Sequence, residues 1–281
     1  MKCHFIVILL LAVFGNTLLC SFKTDSLALE KAVKEYYMTR PDSILDLLDD
    51  AEHHKVMASA RIDILRAMVY GNMSMPVLEE SCLRRVLSVP KTTSNPNLHL
   101  KALSMMVDAL QEQGKYSECI PMAMQGMNLA KKLNNRVVEY SLLSTLAMAS
   151  FRLEQYQDGY EYLQQIIKGG SKSDDVRVLS HVSYAYGMLI NQLVSDTRYE
   201  EALKAVYARR DLLERMKDMP GPPSGYIDQQ KAYLYSKMAN LYLSMGKTAQ
   251  AEEAYRAFMQ TEEAKRVGER LNKTAKELYG I

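Results

Sequence analysis

The stretch YSKMANLYLSMGKTAQAEEAY, residues 235–255, decides the fold of this chain. Tyr235, Ala239 and Tyr242 recur at helical intervals, so their side chains share one helix face that must be buried. Gly246 then interrupts the helix, and a second helical run with small alanines follows. Small side chains let two helix backbones approach closely, and a short connection makes neighbouring helices antiparallel. The stretch therefore predicts a helix hairpin.

The same pattern occurs three more times upstream. In each copy a helix with apolar residues at this spacing is followed by a short break. A tyrosine comes next (Thr248 in the last copy), and three positions later a small residue. The four breaks and their small residues are Gly114-Lys115-Tyr116 to Cys119, Glu154-Gln155-Tyr156 to Gly159, Thr197-Arg198-Tyr199 to Ala202, and Gly246-Lys247-Thr248 to Ala251. Such self-similarity indicates a repeat protein, because each unit buries its apolar face only against its neighbours.

The composition agrees with a helical globular body. Hydrophobic residues make up 48% and charged residues 24% of the 281 residues, which are ordinary globular values. Only 13 glycines and 8 prolines are present, too few for the many turns of an all-β fold. The net charge of +2 creates no field that attracts nucleic acid, so no nucleic-acid partner is expected. Cys82 and Cys119 make no disulfide framework and are expected to be small buried side chains.

The repeats resemble the tetratricopeptide repeat (TPR), most closely within residues 235–255. The resemblance implies an all-α fold, a right-handed superhelical solenoid of TPR-like helix hairpins, in a non-catalytic protein that binds another polypeptide. Four positions depart from the TPR pattern: Thr248 replaces the tyrosine in the last copy, Glu154 and Thr197 replace the turn glycine, and Arg209 occupies a position that is usually apolar. The copies are also spaced more widely than the roughly 34 residues of the standard unit.

The pattern divides the chain into four parts. Residues 1–20 are a signal peptide or N-terminal membrane anchor, 25–55 hold leading helices, 56–262 form an array of about five hairpins, and 263–281 form a trailing helix or the start of a further repeat. The last helix has no polar closing cap. Because repeat arrays need a capping element, we expect the native chain to be longer.

The N-terminus indicates export. Lys2 precedes FIVILLLAVF, residues 5–14, which is the arrangement of a secretory signal. Cleavage after Gly15 or Cys20 is one interpretation. Retention as an uncleaved anchor and lipid attachment at Cys20 are the alternatives. We therefore expect an exported protein, periplasmic or membrane-anchored and facing the periplasm, with an association of the N-terminus with a membrane as one version.

No catalytic constellation is found in the sequence. His53 and His54 are adjacent and point to different sides of a helix. His99 and His181 stand alone, whereas zinc needs three or four converging ligands. No phosphate-binding loop or nucleophile motif occurs, and Gly169-Gly170 is interpreted as a helix stop. We therefore expect no enzyme and no metal or other cofactor.

The TPR resemblance implies that a protein or peptide partner binds to the first helix of each hairpin, which lines a concave groove. Asn191 and Asn240 fall where arrays that clamp a C-terminal carboxylate carry asparagine. The lysine of such clamps is replaced by Ser104, Ser144 and Ser236. A solvated groove with the partner bound elsewhere is the alternative. The candidate peptide-binding residues are Lys101, Ser104, Asp108, Arg152, Tyr184, Asn191, Tyr233, Ser236 and Asn240.

Two biological roles follow as hypotheses. The chain resembles the exported TPR regions of bacterial sensor kinases and membrane-bound transcription regulators, which implies an extracytoplasmic sensing or docking region. The alternative is a free-standing periplasmic or lipid-anchored adaptor in envelope assembly or outer-membrane traffic. An enzyme is the third hypothesis, and it lacks a supporting motif.

Overall fold

A computed structural model describes residues 26–90, 95–221 and 225–268. Within these ranges the regular structure is entirely helical. The helices are α1 Ser26–Tyr36, α2 Pro41–His53, α3 Ser59–Asn72, α4 Pro76–Ser88, α5 Pro96–Glu112, α6 Tyr116–Lys132, α7 Arg136–Arg152, α8 Tyr156–Gly170, α9 Val176–Ser195, α10 Tyr199–Lys217, α11 Tyr226–Ser244 and α12 Thr248–Met259. Residues 262–268 are also helical. The predicted leader in residues 1–20 and most of the trailing helix lie outside the described residues.

The helices pack in consecutive antiparallel pairs, and the chain divides into two compact units. The first unit ends at Asn134 and contains α1 to α6, in which α3–α4 and α5–α6 are hairpins. The second begins at Asn135 and contains α7 to α12, with the hairpins α7–α8, α9–α10 and α11–α12. The sequence prediction of an all-α fold built from helix hairpins is confirmed.

The predicted helix faces form the core. Leu103, Val107 and Leu110 of α5 are almost completely buried, and so are the corresponding residues of α7 and α9 except Tyr186, which is half-buried. In the first unit a further apolar cluster joins α1, α2 and α3. Its buried members are Leu29, Val33, Ile44, Leu48, Ala51, Ile62, Leu65 and Val69.

Small side chains let the two helices of each hairpin approach, as the pattern predicts. Cys119, Ala202 and Ala251 are buried, and Cys119 and Cys82 are free thiols. Gly159 shows the constraint most sharply, because a Cβ atom there would lie 2.6 Å from the Phe151 ring. Close packing therefore explains the small residue of the repeat.

A residue in the left-handed region ends the first helix of every hairpin. Gly114 and Gly246 have φ of 70° and 71°. Glu154 and Thr197, at the equivalent positions, have φ of 61° and 58°. The next amide donates to the carbonyl five residues back, as in Lys115 N to Leu110 O at 2.9 Å. The non-glycine copies thus make the same turn, in a conformation that L-residues rarely adopt.

Gly169 and Gly170 need a different explanation from the helix stop that we inferred. The helix α8 does end at Gly170, but neither glycine has a positive φ. A Cβ atom on Gly169 would lie 2.6 Å from the Tyr140 hydroxyl, and one on Gly170 would lie 2.5 Å from Val182. The glycines therefore permit close packing of α8 against α7 and α9.

We predict that Thr197→Gly stabilises the protein. Thr197 is exposed and β-branched at φ of 58°, and removing this strain should raise the free energy of unfolding by about 1 kcal/mol. Equilibrium denaturation followed by circular dichroism measures the change.

The matched control is Gly246→Ala. A Cβ atom there meets nothing within 4 Å, so the substitution tests the backbone conformation alone. It should lower the free energy of unfolding by about 1 kcal/mol. A stability loss in Thr197→Gly would show that the left-handed turn is not strained.

Candidate binding groove

The nine predicted groove residues all lie on the first helix of a hairpin. Lys101, Ser104 and Asp108 lie on α5 of the first unit, and the other six lie on α7, α9 and α11 of the second. Every one of these side chains is exposed or half-buried, so each unit presents an accessible polar face. The two faces are called here the unit 1 face and the unit 2 face.

On the unit 1 face, Lys101 and Asp108 have protein atoms around them although both remain accessible to solvent. Lys101 Nζ lies 3.0 Å from the Met68 sulfur, and burial together with Lys34 lowers its pKa. Burial, helped by Glu112, raises the pKa of Asp108 to about 6. Partial covering by neighbouring side chains explains both observations, because it removes water from one side of a charge while leaving the other open.

Glu79 and Glu80 are neighbours on α4, and the pKa values of their carboxyl groups shift in opposite directions. Glu80 accepts hydrogen bonds from Lys115 Nζ and Gln113 Nε2, both at 2.8 Å, and the Lys115 contact is the main reason why its pKa falls to about 2. Glu79 is 6% exposed, and its carboxylate has no hydrogen-bond or ion-pair partner among the described residues. Burial, then Glu112 and Asp108, raise the pKa of Glu79 to about 7. Sequence reasoning missed Glu79, because nothing in the repeat pattern distinguishes it from Glu80.

The unit 2 face carries aromatic rings and amides side by side. Tyr184 on α9 is 50% exposed and Tyr233 on α11 is 39% exposed. The Tyr233 hydroxyl donates to Asn191 Oδ1 at 3.2 Å, which joins α9 to α11. Asn240 is exposed and Ser236 is half-buried on α11, near Tyr233 in the helical register. The structure therefore brings Asn191 and Tyr233 into contact.

Two residues of α7 differ in their availability to a ligand. Arg152 is exposed at the end of the helix, and no hydrogen bond joins it to another groove residue in the described ranges. Ser144 is buried, and its hydroxyl donates to the Tyr140 carbonyl at 2.9 Å. Ser144, which stands where carboxylate clamps carry lysine, is therefore not available as a donor to a ligand, because its hydroxyl hydrogen is already used within the helix.

Arg209 is the least expected residue near the unit 2 face. It belongs to α10, the second helix of its hairpin, and is 4% exposed. Its Nε donates to Ser183 Oγ at 3.2 Å and its Nη2 donates to Gln230 Oε1 at 2.5 Å. The guanidinium carbon lies 5.4 Å from the centroid of the Tyr233 ring. The sequence marked Arg209 as a departure from the repeat but could not show where its side chain goes.

The described ranges contain no group of three histidine, cysteine or acidic side chains that could hold a metal ion. No helix among them combines the length and apolar character needed to cross a bilayer. An open cleft of about 400 Å³ in the second unit is lined by Tyr160 and Arg198. These two side chains already have partners: Tyr160 donates to Asp196 at 2.6 Å, and Arg198 pairs with Glu201 at 2.8 Å.

The raised pKa of Glu79 predicts a pH-dependent stability. The folded chain holds this proton up to about pH 7 and the unfolded chain releases it near pH 4.5. Stability is therefore lost as the pH rises through that window. Glu79→Gln should increase the free energy of unfolding at pH 8 by on the order of 2 kcal/mol, with little effect at pH 4.

Urea titrations at pH 4 and pH 8 measure this difference. Glu112→Gln, which alters an exposed acid of the same cluster, is the matched control and should have a smaller effect. Equal effects of Glu79→Gln on the free energy of unfolding at both pH values would contradict a raised pKa of Glu79 in the folded chain.

No protein-family model and no curated protein sequence matches this chain. Solved structures do match it. A putative kinesin light chain from Podosopora anserina with nearly identical TPR-like repeats has 15% identity and a TM-score of 0.54, over 72% of this chain and 94% of that chain. BtubC (BKLC) from P. vanneervenii has 14% identity and a TM-score of 0.58, over 88% and 93%.

The apo form of RapI is a third similar structure, with 13% identity and a TM-score of 0.53 over 85% of this chain and 97% of that chain. At such identities a structural likeness shows the fold alone. The chain therefore has the fold of a TPR-like helical-repeat protein.

Proposed function

We propose that this chain is a non-catalytic scaffold that binds a protein or peptide on the first helices of its hairpins. The observation that carries the proposal is the exposure of Tyr184 and Tyr233 on the unit 2 face, beside Asn191. Large rings left half in water on rigid helices gain free energy when a partner covers them, and tyrosine is enriched in interfaces for this reason.

The polar groups around the rings suit an extended or helical peptide. Asn191 and Asn240 are exposed amides, each with donors and acceptors that match a peptide backbone or a polar side chain. The helices below them are held by a packed core, so little ordering accompanies binding. On the unit 1 face, Lys101 and Asp108 offer opposite charges on one helix. The alternative of a solvated face with the partner elsewhere predicts no contact at these residues.

We further propose that the scaffold is the extracytoplasmic sensing or docking region of a bacterial signalling or regulatory protein. The apolar segment at residues 5–14 after Lys2 supports export. The hairpin repeats support a sensing role, because a ligand can shift the packing angle between one hairpin and the next. The alternative is a free-standing periplasmic or lipid-anchored adaptor. The reading frame beyond Ile281 distinguishes the two, because a membrane span followed by an effector domain belongs only to the sensor.

Site-specific photocrosslinking tests the binding proposal. Benzoylphenylalanine at Tyr184 or Tyr233 should give covalent adducts with the partner in cells. The matched control is Tyr255, which is 55% exposed on α12, the second helix of its hairpin. The adducts at Tyr184 should decrease at least about tenfold in Asn191→Ala,Asn240→Ala, the loss expected from one or two buried hydrogen bonds. Adducts that form equally at Tyr255 and survive the double substitution would contradict a binding face.

Fusion to alkaline phosphatase tests export, because this enzyme is active only where its disulfides form. A fusion after residue 268 should be active in intact bacteria. Leu10→Arg, which places a charge inside the apolar segment, should abolish the activity. Lys2→Gln, which leaves the apolar segment intact, is the control and should reduce the activity less than Leu10→Arg. Activity that does not depend on Leu10 would contradict a signal or anchor at residues 1–20.

A further inference from the structure

The buried guanidinium of Arg209 lacks the counter-ion that such a group normally has. Within the described ranges no carboxylate lies within 4.0 Å of it, and its Nη1 has no hydrogen-bond acceptor. Buried arginines are almost always paired, since an uncompensated buried charge weakens a fold. Arg209 also stays charged, because a guanidinium is not deprotonated in proteins. The site therefore has one uncompensated positive charge and one N–H donor without an acceptor.

The surroundings of Arg209 direct the unused donor toward the unit 2 face. Gly187 lies on α9 next to the guanidinium, and a Cβ atom there would lie 3.3 Å from Nη1. Gly187 is buried, like Ser144 at the equivalent repeat position, whereas Ser104 and Ser236 at that position are half-buried. Gly187 lies three residues after Tyr184 and four before Asn191, so the glycine lets Arg209 approach the face of α9 that carries these two exposed residues.

Tyr233 covers the guanidinium from α11. Its ring contacts both Arg209 and Lys237, with each cation 5.4 Å from the centroid. The position of the ring is supported by a single exposed hydrogen bond, from its hydroxyl to Asn191 at 3.2 Å. Because Tyr233 is 39% exposed, its side chain can turn away from the guanidinium without disturbing the helix core. Lys237 adds a second cation at the same place.

We propose that Arg209 is the recognition group for a carboxylate of a peptide bound on the unit 2 face, which enters beside Gly187 as Tyr233 turns aside. The inference rests on the proposed peptide-binding function and names the chemistry of its ligand. The carboxylate would receive the unused Nη1 hydrogen bond and supply the missing negative charge. Burial lowers the pKa of Arg209, and a bound carboxylate would relieve this unfavourable environment. Ser183 and Gln230 hold the guanidinium in place for it.

Three random nonapeptide libraries without other acidic residues test the proposal on the immobilised full chain. The first has a central glutamate and an amidated C-terminus. The second has a central glutamine and a free C-terminal carboxylate, and the third has a central glutamine and an amidated C-terminus. We expect the wild type to retain the first or the second at least about tenfold more than the third, as for one desolvated charge pair. Preference for the first identifies an acidic side chain, and preference for the second identifies a chain terminus.

Substitutions assign the preference to Arg209. Arg209→Gln should abolish it. Arg210→Gln should not, because Arg210 is the next residue on α10 and is instead paired with Asp211 and stacked on Tyr207. Persistence of the preference in Arg209→Gln overturns the proposal. Equal retention of all three libraries overturns it too, while leaving peptide binding intact. Retention of none of them by the wild type overturns both this inference and the proposed function.

Thermal unfolding separates recognition from a structural role. Arg209→Met fills the same space without a buried charge, so its melting temperature should equal or exceed that of the wild type while the carboxylate preference is lost. Tyr233→Ala should keep the preference, because it uncovers the guanidinium. A large fall in the melting temperature of Arg209→Met would assign Arg209 to the fold and overturn the proposal.

Discussion

The left-handed residue that ends the first helix of each hairpin is the constraint on which the rest of the structure depends. It lets the following amide reach the carbonyl five residues back, so three residues suffice to connect the two helices of a hairpin. Helix faces are then set by distance from this turn. The residues six positions before it are Asp108, Met148, Asn191 and Asn240, and those ten before it are Ser104, Ser144, Gly187 and Ser236. The turn therefore sets which residues of the first helices occupy equivalent positions, and the neighbouring helices decide how far each is buried.

Packing explains why the turn tolerates different residues while the neighbouring small positions do not. Thr197 and Glu154 adopt the strained conformation at a cost of about 1 kcal/mol each, which a helix pair can absorb. Gly159 cannot change in this way, because a side chain there would overlap the Phe151 ring. Backbone strain is a small and local energy, whereas overlap in a close-packed interior displaces a whole helix.

The hairpins could be predicted from the sequence because apolar spacing and turn chemistry are local properties. The buried faces of α5, α9 and α11 and the small residues at Cys119 and Ala202 were found for that reason. The burial of Ser144 could not be predicted, because α7 is covered on more than one side, which periodicity alone does not show. The roles of Glu79 and Arg209 could not be predicted, since each depends on residues of other helices. Arg209 was visible only as a polar residue at an apolar position.

Unpaired buried charges distinguish this chain from a scaffold selected for stability alone. Glu80 shows what the fold can do, because three donors surround its carboxylate and hold its pKa at about 2. Glu79 in the first unit and Arg209 in the second have no such ion partners among the described residues, although apolar side chains at these positions would pack without a desolvation penalty. Exposed ion pairs contribute little and are screened by salt. A buried charge beside an accessible face acts at short range with little screening, so the proposed recognition of a carboxylate fits Arg209 better than the surface pairs, whereas Glu79 keeps its proton up to about pH 7.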